Sequence, residues 1–270
     1  MLRNSHHGKA STPSTSRHAA TTIYTLKREE PLFGWEFDDL GEEVAHYNMI
    51  RKGDSLVGGF MDIAGMTCPD GSPLEAYWGV FLAVDNAENS AKTVESNGGT
   101  LVFPVGSAGA AGSFAVMSDP AQHPLSLWQA GEVEGFDFTG QPGTPVWFEL
   151  MTEDVDKELE FYTKSFGANF VPMKTTMQDD CAAERYYTNG AQDEASWGLG
   201  DASSLVAAEK PGWRVYFGVE SSADAIASVE KLGGTIIDGP DSSPFGAIIT
   251  VADPSGATFQ LCAMSEARSE

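Results

Sequence analysis

The chain repeats itself with a period of roughly 135 residues, and no other feature constrains its fold as strongly. Trp78, Val80, Val84 and Val94 recur as Trp213, Val215, Val219 and Val229, and Gly98-Gly99-Thr100 recurs as Gly233-Gly234-Thr235. The register then slips by one residue, so that Gly112, Asp119-Pro120 and Leu127 fall on Gly246, Asp253-Pro254 and Leu261. The indel lies in the loop around Val105 to Ala111. Each copy reads as a strand, a short helix stopped by Gly-Gly, a second strand, and a hairpin around Asp-Pro. The spacing predicts a βαβββ unit.

At 270 residues the chain has room for two domains, each large enough to bury a core. A net charge of -23 argues against a phosphate-backbone partner, because nucleic-acid binding normally shows a basic patch. Three cysteines, Cys68, Cys181 and Cys262, are odd in number and lack metal-type spacing, which fits a reducing cytoplasm. No apolar run approaches the ~20 residues that span a bilayer, so no membrane partner is expected.

Taken in order, residues 1–31 read as a disordered tail rich in Ser, Thr, Ala and His, with no acid before Glu29. Its Arg- and Ser-rich, acid-poor start has the composition of a transit peptide without the apolar helix face. Residues 32–131 form a first module with strands expected near Phe33 to Phe37, His46 to Ile50 and Leu56 to Ile63, followed by the unit from Trp78 to Trp128. Its opening strand and helix are missing from the pattern; Ile23 to Leu26 is the one substitute strand. Residues 132–143 form a Gly-rich linker. Residues 144–265 form a second module, and 266–270 a short tail. That module opens with a strand from Val146 to Met151 and a helix in which Val155, Leu159, Tyr162 and Phe166 recur at helical spacing until Gly167 ends it.

Val146-Trp147-Phe148-Glu149-Leu150, followed by Phe161-Tyr162 and Phe166-Gly167, then by Gly233-Gly234-Thr235 and by Asp253-Pro254-Ser255-Gly256 leading into Phe259-Gln260-Leu261, resembles the vicinal oxygen chelate superfamily. That superfamily includes glyoxalase I, bleomycin-resistance proteins and extradiol dioxygenases, and the nearest likeness is to tandem glyoxalase-like proteins. The resemblance covers residues 32 to 265. It implies an α+β fold in which pairs of βαβββ units make curved mixed sheets around a ligand cleft, here as two modules with the first truncated at its N-terminus.

Strand alternation supports a two-faced sheet without the family. Phe148 and Leu150, Val215 and Phe217, and Phe259 and Leu261 should face the helices. Trp147, Glu149 and Met151, Arg214 and Tyr216, and Gln260 and Cys262 should face the cleft. The first-module cleft set is Gly79, Phe81, Pro124, Ser126 and Trp128, and Trp78 is a candidate for an aromatic floor shared with Trp147, Tyr216 and Trp128. Metal-dependent members of the superfamily place His, Glu or Gln at the opening and later strands, where this sequence has Trp147, Arg214 and Gln260, with Gly79 and Ser126 in the other module. Neither Trp nor Gly ligates, and Arg stays cationic, so no metal site is assembled in these clefts, and the purified protein is expected to bind no stoichiometric divalent metal and not to be a glyoxalase I.

His46 and His123 read as surface or capping residues. Glu149 pairs with Arg214 or serves as a base, and Cys262 reads as an inert thiol. Gly106 to Gly112 lacks the helix and Lys of a phosphate loop. The sequence therefore predicts a glyoxalase-like protein that binds a small organic molecule, or an enzyme lacking the usual metal, with Trp147, Glu149, Tyr187, Arg214, Tyr216 and Gln260 as binding residues. Arg214 would then favour an anionic or carbonyl-bearing ligand. A metal-dependent lyase or dioxygenase, in which alone a divalent cofactor would be needed, is the second reading, and a non-catalytic scaffold the third.

Overall fold

The computed structural model describes residues 19–24, 30–44, 46–63, 65–67, 71, 73–136, 140–173, 185–191 and 194–267. The first module comprises β1 (Ala19–Tyr24), α1 (Glu30–Phe33), β2 (Glu36–Asp39), β3 (Asn48–Lys52), β4 (Ser55–Met61), β5 (Tyr77–Ala83), α2 (Ala87–Ser96), β6 (Thr100–Ser107), β7 (Gly112–Ser118) and β8 (Pro124–Ala130). The second comprises β9 (Pro145–Thr152), α3 (Val155–Phe166), β10 (Val171–Pro172), β11 (Tyr186–Thr188), β12 (Trp197–Asp201), β13 (Gly212–Val219), α4 (Ser222–Lys231), β14 (Thr235–Ser243), β15 (Gly246–Ala252) and β16 (Thr258–Ala263).

Each module is one eight-stranded mixed sheet, and the two strand orders are the same list shifted by eight: β2-β3-β4-β1-β5-β8-β7-β6 and β10-β11-β12-β9-β13-β16-β15-β14. The repeat seen in the sequence is thus a repeat of topology. Helix ends follow local chemistry. Asn86, Asp154 and Ser221 each accept a backbone N–H from three residues on, as N-caps do, and Gly167 closes α3 in the left-handed region at φ 68°.

The expected absence of an opening strand in the first module is corrected. β1 pairs antiparallel with β5 over its whole length and parallel with β4, the place that β9 takes in the other sheet. It lies inside the 1–31 stretch assigned to a tail; residues 1–18 and 25–29 of that stretch lie outside the described residues. A backbone ladder makes the pairing possible without the alternation that the sequence reading required, because β1 borrows its register from β5. Among the described residues, the four-residue α1 stands where the second module has the twelve-residue α3.

The helix-bearing sides of the two sheets meet, and one buried cluster runs through both modules. Its middle is aromatic. Phe33 and Trp35 stack at 4.4 Å, and both lie against Phe217 at 5.1 and 5.3 Å; Trp78 reaches Phe217 at 4.7 Å and Phe259 at 5.7 Å. The placement of Trp78 on a cleft floor is therefore corrected: it is a core residue of the seam. The linker is tied into the same seam, since Trp35 Nε1 donates to the Gly143 carbonyl at 2.6 Å and Phe136 packs edge-on to Phe148. Because Phe217 is fully buried against three aromatic residues of the other module, Phe217→Ala should destabilise the protein by roughly 3–5 kcal/mol. Both modules should unfold in one shifted transition by calorimetry. Two transitions, only one of them moved, would show that the seam does not couple them.

Candidate functional site

On the helix-free face of the second sheet, β9 and β13 run antiparallel with Glu149 directly opposite Arg214 and Trp147 opposite Tyr216. Tyr216 is in turn level with Gln260 on β16, and Gln260 with Thr250 on β15. Strand alternation sends Phe148, Leu150, Val215, Phe217, Phe259 and Leu261 into the core, each at most 1 % exposed, so their neighbours must point the other way.

These neighbours form one buried polar network. Glu149 Oε2 accepts from the Tyr216 hydroxyl at 2.7 Å and from Arg214 Nη1 at 3.2 Å. Arg214 Nη2 donates to Glu209 Oε1 at 2.6 Å and to Thr250 Oγ1 at 3.2 Å, and Thr250 donates to the same Glu209 oxygen at 3.1 Å. With its amide turned to suit its neighbours, Gln260 accepts from Arg214 Nε at 2.9 Å and donates to the Val215 carbonyl at 3.2 Å. Burial works against the Arg214 charge, but Tyr216, Glu149 and Glu209 outweigh it and raise its pKa. Burial, reinforced by the Glu149 charge, holds the Tyr216 phenol well above its ordinary pKa, so that it remains a donor.

A second layer of contact comes from Tyr186, whose hydroxyl accepts from Trp147 Nε1 at 2.9 Å. Its ring lies over β12, where a Cβ on Gly198 would fall 2.0 Å from the hydroxyl and one on Gly200 2.8 Å from the ring. Only glycine permits that approach. The same device occurs in the first module, where a Cβ on Gly59 would fall 1.8 Å from the Tyr47 hydroxyl.

Five of the six expected residues, Trp147, Glu149, Arg214, Tyr216 and Gln260, are therefore brought together. The sixth, Tyr187, is corrected: it packs against the apolar core on the helix side, and Tyr186 takes its place. A three-residue strand shows no alternation from which to choose between adjacent tyrosines. The usable signal was Gly198-Leu199-Gly200 on the neighbouring strand, a bare strip that calls for a large partner. Thr250 was missed although it sits opposite Gln260, and Glu209 because it lies in a loop. The expectation that Arg214 favours an anionic ligand meets a guanidinium already occupied by two carboxylates. In the first module Gly79, Phe81 and Ser126 stand where Arg214, Tyr216 and Gln260 stand in the second, so these three positions cannot supply the charged pairing of the second module. Trp128 Nε1 donates to the Val133 carbonyl.

The other candidates separate clearly. His46 is exposed and pairs with Asp39 at 3.0 Å. Cys262 is buried, its thiol pushed up to about 11 by desolvation, and stays a thiol. His123 is neither on the surface nor merely a cap: its Nδ1 lies 2.9 Å from Asp119 Oδ2 in the seam, beside Glu158 of α3. Burial lowers the His123 pKa, but Asp119 and Glu158 more than reverse it. Desolvation, helped by Asp119, raises the Glu158 carboxyl to about 7. Grooves of ≈ 700 and ≈ 660 Å³ open elsewhere, one between α2 and the end of α3 and one beside Tyr77 and Val116, and neither is lined by the network.

Among the described residues, neither helix-free face brings together a set of His and carboxylate groups fit for a divalent ion. The network holds two carboxylates, but a guanidinium sits between them, and its positive charge opposes a cation there.

Residues 144–261 match the Glyoxalase/Bleomycin resistance protein/Dioxygenase superfamily. The chain is 28% identical over 257 residues to CFP32 of Mycobacterium tuberculosis, named as a glyoxylase, covering 92% of this chain and 90% of that one. It is also 28% identical over 200 residues to the anthracycline biosynthesis protein DnrV of Streptomyces peucetius, covering 72% and 68%. Among solved structures, the 2,3-dioxygenase LapB of Pseudomonas sp. KL28 superposes with a TM-score of 0.57 at 14% identity over 91% of this chain and 90% of that one. The Mn(II)-bound glyoxalase of Novosphingobium aromaticivorans does so with 0.57 at 13% identity over 93% and 82%. These structural likenesses concern the fold.

Removing Arg214 would leave Glu149 and Glu209 facing each other without a cation. Arg214→Ala should therefore cost roughly 3–5 kcal/mol in urea unfolding, whereas a surface pair such as Arg51–Asp38 should cost under about 1 kcal/mol. Equal small losses would mean that the network is solvated.

Proposed function

We propose, from the match of residues 144–261 to the Glyoxalase/Bleomycin resistance protein/Dioxygenase superfamily, that the chain is a member of it and binds a small organic molecule on the helix-free face of its second module. The observation that carries this reading is the Glu149–Arg214–Tyr216 network, walled by Trp147 and Tyr186, where the first module has Gly79 in place of Arg214 and Phe81 in place of Tyr216. A sheet face that only had to meet water would have no reason to bury three charged side chains, whose desolvation costs several kcal/mol each before pairing offsets it.

The charge balance favours a neutral or cationic ligand. Two carboxylates against one guanidinium leave the network at minus one, and the chain as a whole stands at -23, so an anion meets repulsion at both ranges. The wall of Trp147, Tyr186 and Tyr216 suits a flat, unsaturated molecule, which aromatic side chains hold by stacking, or a cation held over the rings. Relatives named for a glyoxylase and for anthracycline biosynthesis support a small organic ligand. A metal-dependent lyase or dioxygenase has no suitable set of donors on this face, and a pure scaffold would not need the network.

Native mass spectrometry of the full chain purified under mild conditions is the test. A bound organic mass is expected, released on denaturation and lost or at least tenfold weakened in Trp147→Ala. Phe81→Ala, at the matching place in the first module, should leave it bound. Retention of the ligand in Trp147→Ala would move the site elsewhere, and no ligand from any preparation would favour the scaffold.

A further inference from the structure

The Asp-Pro turn occurs twice, and the two copies differ in one respect that matters. Asp253 uses Oδ1 to accept the backbone N–H groups of Ser255 and Ala257, closing the turn between β15 and β16. Asp119 does the same with Ala121 and His123 between β7 and β8. One carboxylate oxygen is enough to hold such a turn. In the first copy the other oxygen, Oδ2, points into the seam, where it meets His123 Nδ1 at 2.9 Å and accepts from the Tyr162 hydroxyl at 3.2 Å. The second copy has Ala257 where the first has His123.

Facing this turn from the second module is Glu158, in the first turn of α3. It is 0% exposed, and neither of its carboxylate oxygens has a hydrogen-bond partner. A buried carboxylate without a partner is strongly unfavourable, and packing alone would be served better by an apolar residue. One oxygen from each carboxylate and one imidazole nitrogen lie within 4.8 Å of one another. Bonds of about 2.0–2.2 Å to a common ion put its ligands ~3.0–3.6 Å apart at angles of about 90–110°, so the widest pair in the cluster needs to close by about an ångström, within reach of side-chain rotation.

We propose that Asp119, His123 and Glu158 form a divalent metal site in the seam, joining the β7–β8 turn of the first module to α3 of the second. Two carboxylates and a neutral imidazole carry a charge of minus two, which a divalent ion cancels. Two hard oxygens and one imidazole suit Mn²⁺, Fe²⁺ or Zn²⁺ rather than a soft ion. Tyr162, bonded to Asp119 and itself receiving the Trp213 indole N–H at 3.3 Å, orients the Asp119 carboxylate from the second module, as outer partners of metal ligands do. The site is separate from the network on the helix-free face. A metal held here departs from the expectation of a metal-free protein, which rested on the cleft positions alone.

The test uses full-length protein carrying His6→Ala and His7→Ala, which removes adventitious binding by those two histidines. After treatment with chelator it is titrated with Mn²⁺ and, separately, Zn²⁺ by calorimetry, and the metal retained after gel filtration is counted. One ion per chain is expected, with a rise in Tm of about 5 °C at saturation. Glu158→Gln, which keeps the size of the side chain, and His123→Asn should each lose the ion and the Tm rise, while Glu149→Gln keeps both. Circular dichroism of the metal-free variants separates loss of the site from loss of the fold, and either folded variant suffices. No retained ion with either metal, an ion still held by both Glu158→Gln and His123→Asn, or an ion lost in Glu149→Gln would overturn the assignment.

Discussion

The structure depends on the mutual burial of two helix-bearing sheet faces, and the contact that fixes it is aromatic. Each sheet alone would expose a broad apolar side, because its helices cover only part of it. Phe33 and Trp35 from the short opening segment of the first module fill the gap against Phe217, and Trp78 closes on Phe217 and Phe259 from the neighbouring strand. Aromatic residues suit this role because each buries a large area at low entropic cost.

With one face of each sheet committed to the seam, period-two alternation leaves the other face no choice of residues. This is why the shared face of Trp147, Glu149, Arg214, Tyr216 and Gln260 was legible in the sequence: once Phe148 and Phe217 are recognised as core, Glu149 and Tyr216 must lie opposite. Alternation gives no help where a strand is short or its register is borrowed. Tyr186 and Tyr187 could not be distinguished within three residues. β1 was placed only in part, by the substitute strand expected at Ile23 to Leu26, because its sequence, Ala-Ala-Thr-Thr-Ile-Tyr, has no alternating apolar pattern and is placed by its partners. Glu209 and the meeting of His123 with Glu158 depend on loops and on docking between modules, which no local pattern encodes.

The charged groups divide accordingly. On the helix-free face, Arg214 is held by Glu149, Glu209, Thr250 and Gln260, a closed set in which every member has a partner. In the seam, Asp119, His123 and Glu158 form an open set, with both oxygens of Glu158 unpaired. A satisfied buried network rigidifies its surroundings, whereas an unsatisfied one gains by taking up a proton or a cation. The two clusters are thus opposite solutions to burying carboxylates, one complete within the chain and one in need of an addition.

Tyr186 lying across Gly198 and Gly200 has a consequence for recognition. The strip of bare backbone beneath it has the outline of a phenol because a phenol fills it, tethered and always at hand. Any planar guest bound there competes with a resident of very high effective concentration, so its measured affinity is its intrinsic affinity reduced by the work of swinging that ring aside. A guest able to replace the hydrogen bond between Tyr186 and Trp147 recovers part of that work, and one that cannot is excluded even when its shape fits. Under the proposed binding role, the chain carries its own reference ligand, against which any guest on this face would be selected.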